Sequence, residues 1–158
     1  MEKIDVTVDI KAPIEEVFNI LSEHDSYSRF NGVLSSTLLQ RGEYEKNGKG
    51  AIRKIDAVGI TFIEEIPAFE RNYFFEYKVI QCYFNMGLLQ IDIPLVHLLG
   101  RVNFKKIENG TQVNWISIID LDVPVLRDEL TKVFSYNGGN GFYFLLQQLK
   151  YNLELKQY

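Results

Sequence analysis

After Asp122-Val123-Pro124 the chain changes its hydrophobic period, and that change sets what everything before it must accommodate. Leu126, Leu130, Val133 and Phe134, then Phe144, Leu145, Leu149 and Leu153, recur at three-to-four spacing and define one broad apolar helix face. About 30 residues of helix span roughly 45 Å, long enough to lie across a whole sheet. Midway along it sits Asn137-Gly138-Gly139-Asn140-Gly141. Each interior glycine costs about 1 kcal/mol relative to alanine, so the cluster marks a kink, a break or a close approach.

Ahead of this helix the chain reads as strands and turns. Ile4, Val6, Val8 and Ile10 alternate with Asp5, Thr7, Asp9 and Lys11, the period of a half-buried strand. Ala12-Pro13-Ile14-Glu15-Glu16 starts a short helix, with proline in the first turn and carboxylates at the positive end of the dipole. Its apolar stripe is Ile14, Val17, Phe18 and Leu21. Asp25 to Phe30 predicts a second short helix that ends near Asn31-Gly32. Strands follow over about 33–45, 50–57, 60–66, 72–83, 100–107 and 111–121, punctuated by Asn47-Gly48, Val58-Gly59, Pro67 and Asn109-Gly110. Short turns between consecutive strands predict an antiparallel meander, hence an α+β chain rather than a parallel sheet with crossovers. The stretch from Phe84 to Leu99 is longer than a hairpin loop and rich in Leu and Ile, which suggests a functional or packed-over loop.

The 158 residues are expected to form one domain, 1–158, with a sizeable core. An apolar fraction of 46% and a charged fraction of 24% exclude disorder, collagen-like repeats and coiled coil. The formal net charge of −4 argues against a nucleic-acid partner and against loose attraction to anionic lipid. The single Cys82 can form no internal disulfide, and two histidines provide no metal-ligand spacing, so neither metal nor cofactor is expected. The N-terminus has no signal-peptide pattern and the most apolar stretch is too short and polar to span a bilayer, so a cytoplasmic location is expected.

Several local motifs stand in a telling order: Ile10-Lys11-Ala12-Pro13-Ile14-Glu15-Glu16-Val17-Phe18, then Asp25 to Phe30, then Gly50-Ala51-Ile52-Arg53-Lys54-Ile55. Glu64-Glu65-Ile66, Phe75-Glu76-Tyr77 and Gly110-Thr111-Gln112-Val113-Asn114-Trp115 follow, and Leu149-Lys150 and Glu154 lie on the last helix. Over residues 3 to 157 the chain resembles the START-like, or SRPBCC, superfamily of polyketide cyclases, birch-pollen-allergen-like proteins and lipid-transfer domains. That resemblance implies a helix-grip fold: a curved seven-stranded antiparallel sheet around a long C-terminal helix, with two short helices after the first strand. It also implies a cavity for a lipid, sterol, polyketide or other apolar molecule. Glycines in the helix that should plug the sheet depart from a tightly filled interior.

Strand parity selects candidate lining residues. Tyr73, Phe75, Tyr77 and Val79 are expected inward, as are Val102 and Phe104, and Val113, Trp115, Ile119 and Leu121; ordinary core packing is the plainer reading of each. Glu64 shares a face with Phe62 and Ile66, where a carboxylate needs a cation or donor. Arg53 shares a face with Ala51, Ile55 and Ala57 on the preceding strand. An inward Arg53–Glu64 pair could anchor a polar ligand head; the plainer alternatives are a sheet edge leaning to solvent or a structural ion pair. His97 is a candidate acid–base group at a cavity mouth, or a satisfied structural histidine. His24 is expected to be exposed. Tyr27, Phe30, Tyr136 and Phe142 could ring an entrance, or simply pack. Cys82, on a face with Ile80 and Phe84, reads as an inert buried thiol.

The leading functional expectation is binding or transport of a hydrophobic small molecule between sheet and helix. The alternative is a cyclase- or dehydratase-type enzyme with Glu64, Tyr77 and His97 as acid–base groups, since no nucleophile motif is present. A protein-interaction or co-chaperone-like module is the third class. The oligomeric state is left open.

Overall fold

The computed structural model describes residues 1–155; the last three residues of the expected domain lie outside the described residues. The chain runs β1 (Glu2–Ile10), α1 (Ile14–Ser22), α2 (His24–Tyr27), β2 (Val33–Gln40), β3 (Ile52–Ala57) and β4 (Ile60–Glu65). It continues through β5 (Phe69–Glu70), β6 (Phe74–Met86), β7 (Leu89–Asp92), β8 (Leu95–Ile107), β9 (Gly110–Leu121) and α3 (Arg127–Leu155). Seven strands form an antiparallel path in the order β1-β9-β8-β6-β4-β3-β2, with β5 and β7 pairing on β6 beside it. This is the expected helix grip.

The segment 84–99 differs from the loop expected there. β6 runs on to Met86, turns at Gly87 (φ 71°) and returns as β7, and β8 already begins at Leu95. Apolar residues hid the hairpin because they stay exposed on both its faces, so no in–out alternation marks it; Met86, Leu88 and Leu89 are all exposed. β2 stops at Gln40, short of the expected 45. Tyr73 is exposed in the turn before β6, not inward on it. His24 is buried rather than exposed: its backbone N–H and Nδ1 both reach Asn47 Oδ1, at 3.2 and 2.7 Å.

The two halves of the grip are filled differently. Beneath α1, Phe18 packs edge-on against Phe104, Phe69 and Phe75 at 4.9, 5.3 and 6.4 Å between ring centroids. The C-terminal half of α3 closes over this packed end with Leu146, Leu149 and Leu153. Lys150 Nζ donates to the Asp9 carbonyl at 2.7 Å, and Glu154 Oε1 accepts the Lys11 N–H at 3.1 Å. At its other end α3 is tied to β9 through Asp120, which accepts from Arg127 Nε and Nη2 at 3.1 and 2.6 Å and from the Thr131 hydroxyl at 3.2 Å. The hydrogen bond from Arg127 holds the Asp120 carboxyl well below the usual carboxylate range.

The N-terminal half of α3 is not packed in this way. Leu130 and Val133 there, Leu126 just before the helix and Phe144 just beyond the glycines, all expected on the buried face, are more than a third exposed. The glycine cluster neither breaks nor ends the helix. It is a close approach: a Cβ on Gly138 would lie 3.0 Å from Ile4 Cδ1 on β1, and one on Gly139 would lie 3.5 Å from Ile4 Cγ2. A Cβ on Gly141 would meet open space.

Candidate functional site

The unfilled half encloses a cavity of about 310 Å³ between the sheet and the glycine-bearing turn of α3. Arg53, Phe62, Glu64, Tyr77, His97 and Trp115 line it from the strands, and Phe142 lines it from α3. Tyr27, Ser117, Gly138 and Gly141 join them. Next to it an outer apolar groove of about 780 Å³ runs along α3, bounded by Ile60, Phe84, Ile91, Pro94, Leu130 and Val133. Phe62, Phe134, Phe142 and the two glycines border both spaces, so three rings and a bare stretch of helix backbone stand between inside and outside.

Several expected lining residues lie elsewhere; Val102, Phe104 and Val113 are buried core rather than cavity wall. Phe75 is fully buried in the ring cluster with Phe18 and Phe104, at the packed end. Phe30 is buried against Tyr27, 6.0 Å between centroids, behind the wall rather than in it. Tyr136 points to solvent from the outer face of α3. Ser117 was missed, although its position between Trp115 and Ile119 on the inward face of β9 marks a polar residue in an apolar row.

Two bulges aim the polar groups. On β6, Ile63 faces Gln81 and Glu64 faces Val79, so Ile80 is the extra residue. Parity therefore slips: Val79 and Cys82 are both buried, and Ile80 is half exposed. Cys82 thus does not share its environment with Ile80 and Phe84, which are exposed; burial, with Glu64 nearby, pushes its thiol up to about 12. On β8, His97 faces Ile119 and Leu99 faces Ile118, so Leu98 is extra and turns outward. That slip puts His97 on the inward face with Gly100, Val102 and Phe104, within a strand and not at a loop mouth.

His97 uses both ring nitrogens. Nδ1 accepts the Val79 N–H at 3.2 Å, which leaves the proton on Nε2 to be donated to Ser117 Oγ at 2.9 Å. Burial, with the Lys78 charge adding to it, lowers its pKa to about 4, so the ring is neutral at physiological pH. Ser117 is consequently not activated as a nucleophile, because the nitrogen facing it already carries a proton. Trp115 Nε1 donates to Tyr77 Oη at 2.8 Å, and Phe142 stacks on Trp115 with centroids 4.4 Å apart. Burial and the neighbouring Glu64 raise the Tyr77 hydroxyl well above the ordinary phenol value.

Arg53 and Glu64 lie directly opposite each other on β3 and β4. Arg53 Nε donates to Glu64 Oε2 at 2.9 Å, and both residues are more than nine-tenths buried. The guanidinium also lies over the Tyr27 ring, 4.8 Å from its centroid, and the Tyr27 hydroxyl is itself fixed by the Leu21 carbonyl at 2.8 Å. Arg53 Nη1 is buried with no hydrogen-bond partner. Among the described residues no cluster of side chains could hold a metal ion.

A curved antiparallel sheet gripping a long helix over an apolar cavity defines a START-like protein, a hydrophobic-ligand-binding fold. The chain belongs to the polyketide cyclase / dehydrase and lipid transport family, whose model matches residues 1–154. Among solved structures it is similar to a START superfamily protein from Mycobacterium smegmatis (15% identity, 97% of each chain, TM-score 0.71). A protein from Thermus thermophilus is equally similar (16% identity, 99% of this chain and 100% of that one, TM-score 0.71). The fold is shared too with the Aha1 dimer from Colwellia psychrerythraea (17% identity, 98% of this chain and 97% of that one, TM-score 0.65). No curated protein sequence matches the chain. Among the described residues no helix is long and apolar enough to cross a membrane.

Proposed function

We propose that the protein binds and carries a hydrophobic small molecule, held between the sheet and the N-terminal half of α3. One observation carries this reading: a cavity of about 310 Å³ with an almost wholly apolar wall persists where the helix has glycines instead of plugging side chains. Burying about 300 Å² of ligand surface at about 25 cal/mol per Å² contributes about 7 kcal/mol before the ligand's lost freedom is subtracted. The outer groove is the route in and out, with Phe62, Phe134 and Phe142 as its inner rim. Cyclase- or dehydratase-type chemistry in the same cavity is less well supported. His97 is locked as a neutral Nε2–H donor and Tyr77 holds its proton tightly, so neither is poised to exchange one at neutral pH.

Native mass spectrometry of protein purified from its source is the direct test, because a retained molecule reports its own mass. The expected result is an apolar adduct, together with a rise in melting temperature when that compound is added back. An empty protein whose melting temperature no aliphatic or aromatic compound raises would overturn the reading.

A further inference from the structure

The larger apolar space of this molecule lies outside the cavity. The groove along α3 measures about 780 Å³ against about 310 Å³ for the chamber, and its walls stand open. Phe84, Ile91 and Leu130 are each 44% exposed along it, and Val133 is 59% exposed. Large apolar side chains left in water along one depression mark a place where something binds. The α3 wall is a single stripe, Leu130, Val133, Phe134, Asn137, Gly138 and Gly141, at three-to-four spacing over roughly 16 Å. Asn137 is the polar side chain of that stripe, and its Nδ2 donates to the Val133 carbonyl at 2.8 Å, so it is turned onto its own helix. Asp92 is the one charged side chain among the described residues that border the groove. The stripe ends where the chamber begins. Gly138 and Gly141 border both spaces, and a Cβ at 141 would meet no atom within 4 Å.

We infer that the bound molecule is longer than the cavity: its compact end lies in the chamber, and an unbranched alkyl tail passes Gly141 and rests in the groove between α3 and β7. The inference rests on the apolar-ligand reading above and adds the ligand's shape and a second subsite to it. Continuity decides the occupant. The groove opens onto the chamber beside a bare turn of helix, a gap for a chain one methylene wide and not for a peptide with its side chains. Chemistry agrees, because a hydrocarbon tail asks for no hydrogen bond and the α3 stripe has no free polar side chain to offer one. A molecule held wholly inside would leave the groove walls in water.

A homologous series tests this: naphthalene, ethylnaphthalene, butylnaphthalene and hexylnaphthalene, titrated by their own fluorescence. The indole cross-peak of Trp115, the chain's one tryptophan, reports whether each occupies the cavity. A fully buried methylene tightens binding about fourfold, so about twofold per methylene is expected in a groove open on one side. The variant is Ile91→Thr with Val133→Thr, two exposed positions that border the groove and not the cavity. It should bind naphthalene as the wild type does and hexylnaphthalene about fivefold more weakly. In the wild type, the terminal methyl of hexylnaphthalene should show nuclear Overhauser contacts to the Leu130 and Val133 methyls. If naphthalene binds but longer chains gain nothing, or if they gain equally in the variant, the tail inference fails while the apolar-ligand reading stands. If none of the four moves the Trp115 signal, both fail. A dimer in solution that the double variant dissociates would give the groove to a second copy and overturn the inference as well. Should the variant not fold, the methyl contacts in the wild type still decide.

Discussion

Tyr77 lies across Gly100 on the neighbouring strand so closely that a β-carbon at position 100 would sit 2.4 Å from the ring's Cζ. The absence of a side chain there is what lets the ring reach the Trp115 indole and form one wall of the cavity. Gly100→Ala is therefore expected to push Tyr77 off its site, break the Trp115–Tyr77 hydrogen bond and cost about 1–3 kcal/mol, typical of overpacking. Urea denaturation measures the loss. The emission of the single tryptophan should change in the native baseline, and an unchanged baseline would show that the ring had not moved.

His97 makes the stability pH-dependent. Its folded pKa of about 4 lies below the ordinary histidine value, so the unfolded chain binds a proton that the native chain refuses. That contribution is complete above about pH 6.5 and is lost as pH falls toward 4, with a ceiling of about 3 kcal/mol. Asparagine at 97 can still accept the Val79 N–H but does not titrate. His97→Asn should flatten the slope of unfolding free energy against pH across this window, leaving the carboxylate-driven fall below it, where Asp120 contributes with the same sign. An unaltered slope in the variant would remove His97 from the account.

The buried pair should behave asymmetrically. Glu64→Gln leaves the Arg53 charge buried beside a neutral amide, and a loss of about 3 kcal/mol is expected. Arg53→Met with Glu64→Leu removes both charges at similar volume and should stay within about 1 kcal/mol of wild type. The difference, read from denaturation midpoints of the three proteins, measures the cost of leaving the Arg53 charge unbalanced. Equal destabilisation by both variants would show that the pair itself, and not its balance, stabilises the fold.

Much of this architecture was legible in the sequence because period and turn chemistry are local. The alternation from Ile4 to Ile10, the Asn-Gly turns and the three-to-four spacing after Pro124 placed seven strands and α3 within a few residues, and Arg53 and Glu64 were on the right faces. What stayed hidden depends on partners distant in the chain. The bulges at Ile80 and Leu98 each shift parity by one, and nothing local announces them, so the inward turn of His97 could not be seen. Phe75 and Trp115 looked alike on inward faces. Only the position of α1 over the sheet makes one of them core and the other cavity wall. The glycines in α3 were correctly read as unusual, but which of them meets a neighbour is decided by Ile4, more than 130 positions away.

Those glycines can be told apart by substitution. Gly138 faces Ile4 Cδ1 at 3.0 Å for an added Cβ, whereas Gly141 faces nothing within 4 Å while bordering both the cavity and the outer groove. Alanine at 141 should thus gain most of the helix-propensity difference and raise stability by about 1 kcal/mol. Alanine at 138 gains less, because Ile4 must give way. Glycine at 141 lowers helix stability although no neighbour requires it, which points to use of the open space. Gly141→Leu tests that use: it places a bulky side chain in the open space at a position that borders both the cavity and the outer groove. The variant is expected to be at least as stable as Gly141→Ala in urea yet to bind an apolar probe such as naphthalene at least tenfold more weakly or far more slowly. A stable Gly141→Leu protein with wild-type affinity and association rate would show that ligands do not pass or rest beside this turn of the helix.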